Sequence, residues 1–158
     1  METIQSPFGH TFEEFTVGTV FKHWPGKTIN TSEQSMFCLL TMVHHPVHLD
    51  EQYASETQHG KILVVGTYVI SLIAGMSVRD ISGKAIANLE YEKIVHNAPV
   101  FIGDTLRAET EILEKIASKS KPDRGIIYVE TRGFNQRNEK VLTFRRKLLV
   151  PKTNVEGV

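Results

Sequence analysis

The chain is 158 residues long, with 18 Lys plus Arg against 18 Asp plus Glu and one cysteine, Cys38. That length fits a single domain with a sizeable core. A net charge of zero argues against general binding to nucleic acid or a membrane, and a lone cysteine excludes an internal disulfide.

Residues 1–11 read as a loose arm broken by Pro7 and Gly9, without the basic start and apolar run of a secretory signal. A reducing, cytoplasmic compartment is therefore expected. Phe12 to Trp24 holds a short turn and an edge strand that ends at Pro25-Gly26. Asn30 to Val43 reads as an amphipathic helix. Thr31 and Gln34 have capping-box spacing, and Met36, Leu39, Leu40 and Val43 repeat at i, i+3, i+4 and i+7. The helix should stop near His44-His45-Pro46, because the residue before a proline is pushed out of the helical region. Asp50 is a plausible N-cap for a second short helix, which Gly60 closes.

Ile62 to Asp80 is the most apolar stretch. From Gly66 its spacing is helical, with Val69, Leu72, Ile73 and Met76 on one stripe and Ile70 and Ala74 on another side, so this helix should be buried on most sides. The unbroken apolar run is too short to span a bilayer. Four strands follow: Ala85–Val95, Thr105–Leu113, Gly125–Phe134 and Lys140–Val150. In the second, Leu106, Ala108, Thr110 and Ile112 alternate with charged residues. A buried helix and hairpin-linked strands predict an α+β fold in which an antiparallel sheet wraps the helix.

Chemistry concentrates in Phe37-Cys38-Leu39-Leu40-Thr41-Met42-Val43-His44-His45-Pro46-Val47-His48-Leu49-Asp50. His48 lies between a helix stop and a helix cap and so should be held in a defined loop. It is a candidate general acid/base, with a histidine filling a polar niche as the bland reading. Adjacent His44 and His45 seldom face one ion, and no Cys or HExxH spacing assists them, so no metal site is expected. Cys38 lies in an apolar helical pattern and reads as a buried thiol.

This stretch resembles the signature of the MaoC-like dehydratases, the (R)-specific enoyl-CoA hydratase group of the hot-dog fold. Phe37, Leu40, Thr41, Pro46, Val47, His48 and Asp50 match it, as do Tyr53-Ala54, Gly60, Gly66 and the turn Gly103-Asp104-Thr105-Leu106. The resemblance runs from Phe12 to Val150 and implies one hot-dog domain over residues 1–158, with 1–11 and 152–158 as loose termini. Ala87-Asn88-Leu89 and the hairpin SKSKPDRGIIYVETRGFNQ resemble the branch that handles short branched or dicarboxylic acyl-CoAs, such as mesaconyl-CoA or itaconyl-CoA.

The resemblance implies a lyase that interconverts a 2-enoyl-CoA and a 3-hydroxyacyl-CoA, with no cofactor beyond the CoA of its substrate. His48 would be the acid/base and the Gly66 amide the donor to the thioester oxygen, with glycine there so that no Cβ stands between backbone and thioester. Val43 and Val65 would line the substrate site, and Lys61, Lys121 and Arg124 are candidates for the CoA phosphates, the KSKPDRG turn being the densest in charge. A homodimer or higher even oligomer is expected, without nucleic acid or membrane. The sequence departs from the signature where the family's Gly-Asp becomes Met42-Val43, its Asn becomes His45, and the histidine that often precedes the helix glycine becomes Val65. The carboxylate of the catalytic pair is thus absent. His45, His44, Glu33 or a substrate carboxylate could stand in for it. The chain could instead be a non-catalytic module that binds an acyl-CoA or a partner subunit. A thioesterase is disfavoured because Gly66 to Ser77 holds no Asp or Glu.

Overall fold

The computed structural model describes residues 1–4 and 6–153. The chain runs through β1 (Val20–Lys22), β2 (Lys27–Thr28), α1 (Thr31–Thr41), α2 (Glu51–Ser55), α3 (Gly66–Met76), β3 (Ala87–His96), β4 (Thr105–Ala117), β5 (Arg124–Phe134) and β6 (Lys140–Pro151). The sheet is antiparallel with strand order β1-β4-β5-β6-β3, and β2 adds a short pairing to β4. α3 packs against its concave face. This is the hot-dog arrangement, α+β with a sheet around a helix.

Strict alternation builds the sheet. Leu106, Ala108, Thr110 and Ile112 of β4 turn inward with Ile127, Val129, Leu142, Phe144 and Leu148 of the neighbouring strands. Burying each large aliphatic side chain contributes roughly 1.5–3 kcal/mol. α3 reaches close to the sheet because β5 has a glycine beneath it: a Cβ on Gly133 would lie 2.8 Å from Ile73 Cδ1. Val69 and Ile73 are fully buried, but Thr67, Ser71 and Gly75 form an exposed ridge, so α3 is covered less completely than its apolarity predicts. A π-helical turn, Val78–Ser82, continues it. There Asp80 accepts from buried His23, Nδ1 to Oδ2 2.6 Å, rather than pairing with its neighbour Arg79. No helix among the described residues is long and apolar enough to cross a membrane.

The sequence reading needs three corrections. The cap of α1 is Asn30, whose Oδ1 accepts from the Glu33 amide at 3.1 Å while the Glu33 side chain reaches back; Thr31 and Gln34 do not form the box. The stripe of α1 read as core-facing is open: Met36, Leu39 and Leu40 are 61%, 74% and 78% exposed, whereas Gln34 and Cys38 are buried. Periodicity identified an apolar face, but the polar anchor of Gln34 decides which face turns inward. The arm expected to be loose through residue 11 is fixed at its end, where the buried Gly9 donates to Arg79 O at 2.6 Å and His10 Nδ1 lies 2.7 Å from Asp80 O. At the other end, residues 154–158 of the expected loose terminus lie outside the described residues.

Candidate active site

α1 ends at Thr41, and Met42 reverses the chain in the left-handed conformation, φ 61°. His45 is extended, as a residue before proline must be, and a single 3-10 turn, Pro46–His48, follows. The His45 ring caps that turn by accepting the Val47 amide on Nδ1 at 3.2 Å. Pro46 O accepts the amides of Leu49 and Asp50, and Asp50 Oδ1 accepts the Tyr53 amide at 2.9 Å to start α2. His48 is thus pinned on both sides.

The orientation of His48 fixes its chemistry. Nδ1 stands 2.7 Å from Leu63 O. A carbonyl only accepts, so Nδ1 carries the hydrogen and Nε2 of the neutral ring is left as a base. His45 has the complementary form. Its Nδ1 accepts a backbone amide, which leaves Nε2–H as a donor. The two rings meet edge to face with centroids 6.3 Å apart, and His45 also packs on Tyr53 at 5.8 Å.

Gln34 went unrecognised in the sequence as part of this site. Only 1% exposed, it donates from Nε2 to Leu63 O at 2.9 Å and to His48 O at 3.3 Å, and its Oε1 accepts the Val65 amide at 3.2 Å. One amide side chain therefore ties α1, the His48 turn and the segment entering α3. Its only sequence signal was a polar residue four positions before Cys38 on a helix, which periodicity assigns to solvent.

Gly66 opens α3. No side chain caps this helix, since its N-cap is the buried Val65, and the first amides of a helix lack intrahelical partners. They point outward together with the positive end of the helix dipole. A Cβ on Gly66 would lie 3.0 Å from Cε1 and Nε2 of His96, the last residue of β3. The glycine thus makes room for a side chain from a strand, beyond the close thioester approach expected of it. His59, Leu63, Gly66, Val69, His96 and Pro99 line a cavity of about 360 Å³ at this end of α3.

The remaining candidates divide. Val43 is half-buried and His44 exposed. Lys61 lies near the site, its Nζ 4.4 Å from the centre of the Phe101 ring, and it lines a groove with Glu51 and Ile102. Within this chain Lys121 and Arg124 lie at the opposite end of the sheet from His96. Across the sheet His96 aligns with Leu142 and Leu142 with Gly133, nine positions along β5 from Arg124. That separation is about 30 Å at strand rise. Arg124 is moreover held by Asp123 at 2.8 Å, an ion pair that keeps the Asp123 carboxyl below its usual range. Glu33 is also committed: Lys27 Nζ lies 2.5 Å from it and holds its carboxyl below the ordinary value. Burial pushes the Cys38 thiol upward, against a role as nucleophile. Among the described residues no three His, Cys, Asp or Glu side chains come together as a metal site.

A family model of mesaconyl-CoA hydratase matches residues 3–157. The chain belongs to that family. This family member is 32% identical over 144 residues to a mesaconyl-CoA hydratase of Cereibacter sphaeroides, covering 91% of this chain and 42% of that protein. It is 28% identical to the β-methylmalyl-CoA dehydratase of Chloroflexus aurantiacus, covering 91% of this chain and 41% of that protein. A crystal structure of a putative MaoC domain protein dehydratase from Chloroflexus aurantiacus superposes with TM-score 0.92 at 26% identity, over 99% of this chain and 44% of that one. The chain spans less than half the length of these relatives.

Proposed function

We propose that the protein is an acyl-CoA hydratase–dehydratase, a lyase that interconverts a 2-enoyl-CoA and a 3-hydroxyacyl-CoA with a short branched or dicarboxylic acyl group. The observation that carries this reading is the fixed tautomer of His48, whose free Nε2 is a base in a turn tied through Gln34 and Leu63 to the segment that enters α3. Its relatives, named for mesaconyl-CoA hydration and β-methylmalyl-CoA dehydration, give the acyl class.

In the hydration direction His48 Nε2 takes a proton from water, and the water oxygen bonds to Cβ. The C=C electrons shift toward Cα and the thioester oxygen, where the Gly66 amide stabilises the enolate. The imidazolium of His48 returns the same proton to Cα. One histidine thus closes the proton balance without the carboxylate that Val43 replaces, and the water needs only to be held. His45, with Nε2–H as donor, is the residue best placed to hold it. Dehydration is the reverse. Val43 and Val65 bound the acyl end, and Lys61 meets the CoA phosphates.

We also infer that a second hot-dog unit pairs at β3. Among the described residues this edge strand has no partner on its outer side, and it exposes Leu89, Tyr91, Ile94 and Val95, an invitation to strand pairing. A single cysteine, Cys38, which can form no internal disulfide, suits a reducing, cytoplasm-like compartment.

The test is incubation with mesaconyl-, itaconyl- and crotonyl-CoA, followed by mass spectrometry of the thioester and a free-thiol assay. Gain of one water without release of CoA thiol supports the hydratase; thiol release makes it a thioesterase. Binding without either change makes it an acyl-CoA-binding module. Activity appearing only in Val43→Asp would then identify the missing carboxylate as the reason.

A further inference from the structure

His96 belongs to no role assigned so far. It ends β3 with an exposed side chain that makes no hydrogen bond among the described residues, and it fills no part of either core cluster. Yet its Cε1–Nε2 edge sits 3.0 Å from where a Gly66 Cβ would stand, in the same cavity as the first turn of α3. The backbone holds the residue there. His96 pairs with Leu142 on β6, and the next residue, Asn97, donates its amide to Val141 O at 2.9 Å while its side chain accepts from Thr143. The imidazole is therefore delivered from a paired strand rather than from a loose loop.

Two donors that share one oxygen, each at about 2.9 Å, stand about 4–5 Å apart. The His96 ring edge and the Gly66 amide are close enough to meet that condition around one acceptor. We propose that His96 is a catalytic residue, the second donor to the thioester oxygen: its ring N–H and the Gly66 N–H together bind the oxygen that becomes the enolate. This rests on the acyl-CoA reading above and completes it from a residue just beyond the strand read in the sequence as Ala85–Val95. The assignment also explains why position 66 must be glycine for two reasons at once. A Cβ would displace the ring and lengthen the approach of the thioester.

His96 transfers no proton in this role. A donor hydrogen bond strengthens as charge builds on the oxygen, so the effect falls on turnover more than on binding. Removing one donor of such a pair costs about 10²–10³-fold in kcat. A side chain acting only as cavity wall would alter KM and leave the electronic state of the carbonyl unchanged.

The experiment uses the full chain and saturated butyryl-CoA carrying 13C at the thioester carbonyl, which binds without reacting. The carbonyl resonance is compared in the wild type, His96→Ala and His96→Gln, alongside kcat and KM for mesaconyl-CoA in each. We expect a downfield shift on binding to wild type that collapses in His96→Ala and returns in part in His96→Gln, whose amide still donates. kcat should fall about 10²-fold in His96→Ala with KM little changed. A shift that survives in His96→Ala overturns the assignment, even if wild type hydrates its substrate. A His96-dependent shift in a protein that turns nothing over keeps the assignment and overturns the hydratase reading. No binding of the acyl-CoA overturns both.

Discussion

At residue scale the site depends on hydrogen bonds that each have only one sense. Leu63 O can only accept, so it sets the His48 tautomer, and Gln34 holds that carbonyl in place. Gln34→Leu should leave the buried Val65 amide without its acceptor and cost about 1–3 kcal/mol, read as a lower urea midpoint with unchanged slope. Gln34→Glu keeps an acceptor for that amide but places carboxylate oxygen against Leu63 O, and should also destabilise. Gly66→Ala tests the close approach of His96: turnover should fall while the fold persists, because the exposed ring can swing away from the new methyl. The fixed turn that holds His48 was legible in the sequence because a proline and a capping aspartate frame it. Gln34 and His96 were not, since each acts through a residue distant along the chain, Leu63 in one case and Gly66 in the other.

Among the elements, the strands were the most readable part, since alternation on β4, β5 and β6 reports burial directly. α1 was read two residues too long, to Val43, and its apolar stripe does not face the core. Its apolar residues Met36, Leu39 and Leu40 point away from the core, and its inward face is chosen by the amide of Gln34 and the small Cys38. The cap moved by one residue for a related reason, because both Asn30 and Thr31 are good caps and only geometry selects between them. Asn30→Ala should cost about 1 kcal/mol of stability. Thr31→Ala should cost much less, and thermal unfolding of the two variants side by side checks the difference. Lys121 and Arg124 were singled out on charge density alone, which says nothing about the end of the sheet a hairpin occupies; both lie far along the sheet from His96.

On the scale of the whole molecule, a single hot-dog layer leaves one sheet edge and one helix ridge uncovered. β3 exposes four large apolar side chains along its edge, and Thr67, Ser71 and Gly75 line the open side of α3. A second unit pairing at β3 would bury that edge, so sedimentation should report an even oligomer, and Val95→Lys should shift it toward monomer. The central claim, however, is chemical. We propose that a histidine with a fixed tautomer hydrates an enoyl-thioester with valine, rather than a carboxylate, at position 43. The most direct measurement is the ultraviolet absorbance of the mesaconyl-CoA enoyl-thioester band, followed with wild type, His48→Ala and His48→Gln. We expect a loss of absorbance with wild type whose rate falls at least about 10²-fold in both variants while CoA-ester binding persists. Equal rates in wild type and His48→Ala would contradict it.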